Sequence, residues 1–116
     1  MPIVDVSGFT ADEVPQMKAI RGAIQEAFQE RWGFERLDTT TVNFFVDPSV
    51  ETSPDVHAMA RVYTKQFLKM DDAGRDEVCW EVQRILEEQG GHTFNEAFPP
   101  GFASMCGGWK EGHPLN

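Results

Sequence analysis

The chain has 116 residues, which is enough for one domain with a buried core and too few for two. Its formal net charge of -9 argues against nucleic acid and anionic membrane surfaces as partners, because like charges repel. No apolar run approaches the length of a membrane span, and the N-terminus lacks the pattern of a signal peptide. We therefore expect a cytoplasmic protein whose two cysteines are reduced thiols.

The first part of the chain, residues 2 to 47, has the pattern of a β-α-β unit. Residues 2 to 7 alternate between two side-chain sets with the period of a half-buried strand. Thr10 and Glu13 have the spacing of a capping box, and apolar residues recur after them at helical spacing. Residues 41 to 47 are rich in β-branched and aromatic side chains, which predicts a second strand.

A second β-α-β unit is predicted over residues 60 to 98. Residues 60 to 67 alternate in the same way and predict a third strand. Asp71 or Asp72 is placed to cap a second helix, and a pair of glycines ends that helix. Residues 93 to 98 predict a fourth strand, which two prolines stop.

These elements predict a single α+β domain, in which two β-α-β units form a four-stranded sheet with two helices packed on one face. A ferredoxin-like domain has the same element order and is the alternative fold, although the long polar connection between strands two and three does not suit its usual tight hairpin. The predicted segments within residues 1–116 are β-α-β 2–47, linker 48–59, β-α-β 60–98 and C-terminal tail 99–116.

The opening Met1-Pro2-Ile3-Val4 on a strand, followed by a long helix and a repeated β-α-β order, resembles the tautomerase superfamily. The resemblance is strongest to its macrophage migration inhibitory factor-like (MIF-like) branch, and within that branch to a small, functionally uncharacterised bacterial group. It covers about residues 1 to 100, and Pro2 is its one sharp motif. The resemblance implies the tautomerase (MIF-like) fold and a homotrimer whose sheets enclose a central barrel, with active sites at the subunit boundaries.

Pro2 is the candidate catalytic residue, since removal of Met1 would leave its nitrogen as a secondary amine. The reference pKa of an α-amino group is about 7.7–8.0, and an apolar pocket or nearby cations would lower it toward neutrality. Such an amine takes up and returns a proton at physiological pH, as keto–enol transfer requires. The resemblance therefore implies a tautomerase or isomerase that acts on a small carboxylate substrate. The structural alternative is a strand-edge proline, whose missing N–H suits the start of a strand.

Four further residues are candidates for substrate binding: Arg36, Arg61, Lys65 and Asn95. Arg36 precedes strand two, where the family often places a basic pocket residue, and an arginine binds carboxylate as a planar fork. Arg61 and Lys65 are expected on one face of strand three together with Tyr63. Asn95 lies near the position from which some family members contribute pocket residues to a neighbouring subunit. The alternative role for the three cations is to balance the acidic surface.

No cofactor or metal is expected, because the three histidines have no ligand spacing with one another or with the cysteines and no glycine-rich phosphate loop occurs. Two other functions stay open. One is a hydratase, dehalogenase or decarboxylase on the same fold, although the chain lacks the adjacent arginine pair of some such relatives. The other is a non-catalytic trimeric binding protein, which applies if Met1 is retained and the Pro2 nitrogen is an amide.

Overall fold

The structure is a computed structural model that describes residues 2–33, 40–46, 58–91 and 95–99. Within these ranges the chain forms strands and long helices, which we number in chain order. They are β1 (Ile3–Ser7), α1 (Val14–Ala27), β2 (Thr41–Phe45), β3 (Ala58–Tyr63), α2 (Asp72–Gly90) and β4 (Asn95–Phe98). Short helical segments also occur in the described chain, as 3-10 turns at Ala11–Glu13 and Lys65–Lys69 and a π-helical turn at Phe28–Trp32.

The four strands form one mixed sheet in the order β2-β1-β3-β4. Each β-α-β unit supplies a parallel pair, β1 with β2 and β3 with β4, and the antiparallel pairing of β1 with β3 joins the two units at the centre. The α+β fold of two β-α-β units expected from the sequence is confirmed. The ferredoxin-like alternative is wrong, because its split β-α-β unit places another strand between the two strands of a unit, whereas β1 and β2 are direct neighbours here.

Both helices lie on one face of the sheet, as expected. α1 packs against β2 and α2, and α2 also packs against β3 and β4. The side chains between the sheet and the helices form one apolar core, which contains Val4, Val6, Phe9, Met17, Ile20, Ile24, Phe28, Val42, Ala58, Ala60, Val62, Phe67, Val78, Cys79, Val82, Ile85 and Leu86. Alternation along each strand sends the remaining side chains to the other face, which no described element covers. We call it the open face.

The helix ends agree with the sequence signals. A carboxylate oxygen of Glu13 accepts a hydrogen bond from the Thr10 backbone N–H at 2.9 Å, as in a capping box. The carboxylate of Asp71 accepts from the Gly74 N–H at 2.8 Å, so Asp71 is the cap of α2. Gly91 ends α2 with a φ of 74°, a left-handed conformation that glycine adopts without steric cost.

The end of the first helix departs from regular α-helix. After Ala27 the chain makes a π-helical turn, Phe28–Trp32, which ends at Gly33 with a φ of 57°. The Phe28 ring is fully buried and meets the Trp32 ring edge-on, with ring centroids 5.9 Å apart. This turn therefore holds an aromatic pair at the C-terminal end of α1.

The predicted bounds of strand three are wrong at both ends. β3 is Ala58–Tyr63, and the chain then turns into a 3-10 helix at Lys65–Lys69. Thr64 causes the change, because its hydroxyl accepts a hydrogen bond from the Gln66 N–H at 3.2 Å and so caps the turn. Phe67 is fully buried by the turn. Residues 47, 93 and 94 of the other predicted strands lie outside the described residues.

Cys79 is buried in the core on α2. Burial raises the pKa of its thiol to about 12, and the nearby Asp76 carboxylate contributes to the rise. The thiolate is the nucleophilic form, so Cys79 is inert at neutral pH. This agrees with the expected reduced thiol, while Cys106 lies outside the described residues.

A buried carboxylate ties the two helices together on their outer side. The Glu81 side chain is 6% exposed, and its Oε2 lies 3.1 Å from Nη1 of Arg31 at the end of the first helix. Its Oε1 accepts a hydrogen bond from Nε of Arg84, which also reaches Glu88 at 2.7 Å. The hydrogen bond from Arg84 holds the pKa of Glu81 below its ordinary value, although burial opposes this shift. These residues line a cleft of about 240 Å³ between the helices.

We expect Glu81→Gln to lower the free energy of unfolding at pH 7 by about 1 kcal/mol, because both arginines are half exposed and water screens them. A carboxylate whose pKa is lowered in the folded state stabilises the fold at pH values above its unfolded-state pKa of about 4.3. This contribution disappears as the pH falls through the folded-state pKa. Urea midpoints of wild type and variant should therefore converge between pH 7 and pH 3.

The matched control is Glu87→Gln, which removes the same charge from an exposed position of α2. Its midpoint should stay close to that of wild type at pH 7. A constant gap between wild type and Glu81→Gln over the whole pH range would contradict the assigned ionic contact.

Candidate functional site

Pro2 directly precedes the central strand β1, and its ring is fully buried. Alternation along the strand places the ring on the helix side of the sheet, together with Val4 and Val6. The Pro2 carbonyl oxygen accepts a hydrogen bond from the Thr41 N–H at 3.1 Å, so the start of β1 is held against the start of β2.

Two buried threonines flank Pro2 on the neighbouring strands. Ile3 pairs with Thr41 on one side and with Tyr63 on the other, so one step back along the strand Pro2 lies between Thr40 and Thr64. The exposed fraction of Thr40 is 2% and that of Thr64 is 5%. We call these three residues, Pro2, Thr40 and Thr64, the proline end of the sheet. The proline end therefore brings together the Pro2 nitrogen and the hydroxyl groups of the two threonines.

Helical segments close the proline end on the core side. The side-chain amide of Gln25 in α1 donates to the Thr40 carbonyl oxygen at 2.9 Å, which brings the end of α1 to this point. The Phe67 N–H donates to the Thr64 carbonyl oxygen at 3.2 Å, and the rings of Phe28 and Phe67 are fully buried. The Pro2 ring therefore lies on the side of the sheet that the apolar core covers.

Lys65 is the one predicted cation that the described chain places at the proline end. It follows Thr64 directly, is exposed, and begins the 3-10 turn. The prediction that it shares a strand face with Arg61 and Tyr63 is wrong, because β3 ends at Tyr63. Arg36 lies outside the described residues.

Arg61 lies on the opposite side of the sheet from the Pro2 ring. It pairs with Asp5 in the centre of β1, and its guanidinium lies 5.6 Å from the centroid of the Phe98 ring. Both partners belong to the open face. Within one chain, Arg61 and Pro2 do not line a common pocket.

Asn95 is buried at the other end of the sheet. It pairs with Ala58, the first residue of β3, whereas Tyr63 at the last position of that strand lies beside Ile3. Strand residues advance by about 3.3 Å each, so Asn95 and Pro2 are separated by more than about 15 Å along the strands. One subunit therefore does not combine these two residues in one site.

The open face carries the larger share of uncovered apolar surface on the sheet. The Phe45 side chain is 59% exposed, and Met59, Tyr63 and Phe98 share this face by strand alternation. Near its centre the amide of Asn43 donates to the Asp5 carboxylate at 3.0 Å.

Thr40 and Thr64 were missed by the sequence reasoning. Their signal was polar character at positions that continue the buried side of β2 and β3, two residues from Val42 and Val62. This polar character indicates a site only when β2 and β3 are known to lie on either side of β1.

No group of three or more His, Cys, Asp and Glu side chains within the described residues is arranged to hold a metal ion. No helix in the described part of the chain combines the length and apolar character that a membrane span needs.

The chain matches no protein-family model and no curated protein. Among solved structures, one that is similar in shape is described as the Q0 fused 4-OT wild-type symmetric trimer. The two share 13% sequence identity at a TM-score of 0.48, and the match covers 85% of this chain and 82% of that chain.

Proposed function

We propose that the chain is a tautomerase-superfamily protein of the MIF-like branch, close to its small bacterial group, and that it moves a proton between the keto and enol forms of a small carboxylate. The observation that carries this proposal is the burial of Pro2 at the start of the central strand, between two buried threonines. The proposal needs Met1 to be removed, so that the Pro2 nitrogen is an amine.

The surroundings of Pro2 suit the chemistry of a general base. An amine at the fully buried Pro2 has fewer water molecules to solvate its cation, so we expect its pKa to lie closer to neutrality. The neutral amine takes a proton from the carbon next to the keto group, and the electron pair moves to the keto oxygen. The ammonium then returns the proton to that oxygen, which completes the enol.

The same proposal includes a homotrimer in the cytoplasm. β2 and β4 are edge strands of the described sheet, and the open face exposes apolar side chains that a second copy would cover. A site that uses both Pro2 and Asn95 also needs two subunits, because one chain holds these residues at opposite ends of its sheet.

We expect processed protein to accelerate keto–enol exchange of a phenylpyruvate-like acid, and protein that retains Met1 to be slower by at least about 100-fold. Retention turns the Pro2 amine into an amide and alters no other side chain. Intact mass verifies the two forms, and circular dichroism verifies their fold. Pro2→Ala is the intermediate case, since it keeps a primary amine.

The pH profile gives an independent check on the same amine. Activity should rise as the amine loses its proton, with a midpoint below the reference value of about 7.7–8.0. Equal turnover by folded protein with and without Met1 would show that the proline mechanism is wrong, whereas no turnover by either form would favour a non-catalytic binding protein.

For the carboxylate, we expect at least one of Arg36→Ala, Arg61→Ala and Lys65→Ala to weaken phenylpyruvate binding by about fivefold. Lys65 has the best position, since it is the described cation among them at the proline end. Calorimetric titration measures the affinities, with Lys18→Ala on α1 as the control. Unchanged affinity in all three variants would discard the anion-binding role.

For the trimer, light scattering should give three times the chain mass at micromolar concentration. Phe45→Asp should produce monomer, because it places a charge on the open face. Val14→Asp is the control, since Val14 is 44% exposed at the start of α1 on the helix side. A wild-type monomer at that concentration would exclude a shared active site.

A further inference from the structure

Thr40 has a buried hydroxyl group that the described structure does not use. The residue is 2% exposed, and its Oγ1 has no hydrogen-bond partner within the described chain. Its backbone carbonyl is satisfied, because Gln25 donates to it at 2.9 Å. Nearly all buried polar groups in proteins are paired, and an exception calls for an explanation such as a ligand.

The position of this hydroxyl relates it to Pro2. Thr40 continues the buried side of β2, two residues before Val42, and Pro2 continues the buried side of β1. Adjacent strands lie about 4.8 Å apart, so the two side chains are neighbours on one face of the sheet. A ligand that reaches the Pro2 nitrogen position is therefore within the range of the Thr40 side chain.

Thr64, on the other side of Pro2, has a different role. Its hydroxyl accepts the Gln66 N–H and caps the 3-10 turn that follows β3. The two threonines are alike in burial, but Thr64 has a structural hydrogen bond. The Thr64 hydroxyl therefore stabilises the fold, whereas the Thr40 hydroxyl is available to a ligand.

We propose that Thr40 Oγ1 donates a hydrogen bond to the keto oxygen of the substrate bound at Pro2. This inference rests on the proposed function. As the Pro2 amine removes the proton from carbon, negative charge collects on that oxygen, and a donor already aimed at it stabilises the transition state. Thr40 keeps its own proton, and the ammonium of Pro2 delivers the transferred proton to the oxygen.

The local structure holds the hydroxyl in place before the ligand arrives. Threonine is branched at Cβ, which restricts rotation about χ1. The Gln25 hydrogen bond ties the Thr40 backbone to α1, and the Thr41 N–H ties the next residue to Pro2 at 3.1 Å. A donor fixed in this way needs no rearrangement during the reaction, which is the condition for effective electrostatic catalysis.

The test is Thr40→Val, which removes the hydroxyl and keeps the shape. We expect kcat to fall by about 10- to 100-fold and KM to rise by a smaller factor of about two- to threefold, because the bond is present in the bound substrate and strengthens in the transition state. We also expect Tm to rise by about 4–8 °C, since an unpaired buried hydroxyl is removed. Thr40→Ser should restore most of the activity but not the higher Tm.

Thr64→Val is the matched control for stability. It removes a hydroxyl that has a hydrogen bond, so its Tm should fall, opposite to that of Thr40→Val. A Tm of Thr40→Val at or below that of wild type would show that the Thr40 hydroxyl is satisfied in the free protein, and would overturn the inference. A kcat of Thr40→Val within about twofold of wild type would overturn it as well.

A failure of the Thr40 proposal can be distinguished from a failure of the proline mechanism. Equal turnover with and without Met1 would show that the proline mechanism is wrong, and the Thr40 variants would still be compared in the same assay. If the wild type shows no turnover at all, the proposed function is wrong and the dissociation constant for phenylpyruvate decides about Thr40. Weaker binding to Thr40→Val would then support the hydrogen bond, and equal binding would overturn it.

Discussion

The antiparallel pairing of β1 with β3 is the constraint on which the rest of the molecule depends. Each β-α-β unit alone has only two parallel strands and one helix. Such a unit is too small to bury an apolar core by itself. The central pair joins the units through Val4 and Val6 of β1 and Ala60 and Val62 of β3, all fully buried. A register shift by one residue would turn these side chains to the open face.

The same pairing creates the polar positions around Pro2. Because β1 is central, Pro2 just before it has a neighbour on both sides, Thr40 and Thr64. An edge strand would leave one side of Pro2 to solvent. The burial of the Pro2 ring follows from this central position, and the Gln25 contact at Thr40 brings α1 to the same end of the sheet.

The sequence predicted what local patterns can encode. Alternation located β1, the Thr10 and Glu13 spacing located the 3-10 turn that leads into the first helix, and Gly91 marked the end of the second. Strand three was extended too far, since Thr64 and Gln66 continue the alternation while a side-chain hydrogen bond between them turns the backbone. Alternation alone does not reveal such a local bond.

The site was less predictable, because it depends on contacts between distant parts of the chain. The sequence singled out Pro2 but gave no way to know that Arg61 faces the other side of the sheet, or that Asn95 lies at its far end. Both facts follow from the order and direction of the strands. Thr40 was missed for the same reason, since it gains meaning only beside Pro2.

The π-helical turn Phe28–Trp32 has a consequence for the number of residues that the first helix can hold. Such a turn holds one residue more than the α-helical turn it replaces, so deletion of one residue would restore regular helix. Because the π turn takes up the extra residue within one turn, the chain on either side would keep its direction after the deletion. The turn is therefore the place where the first helix can lose one residue while α1 keeps its packing against the sheet.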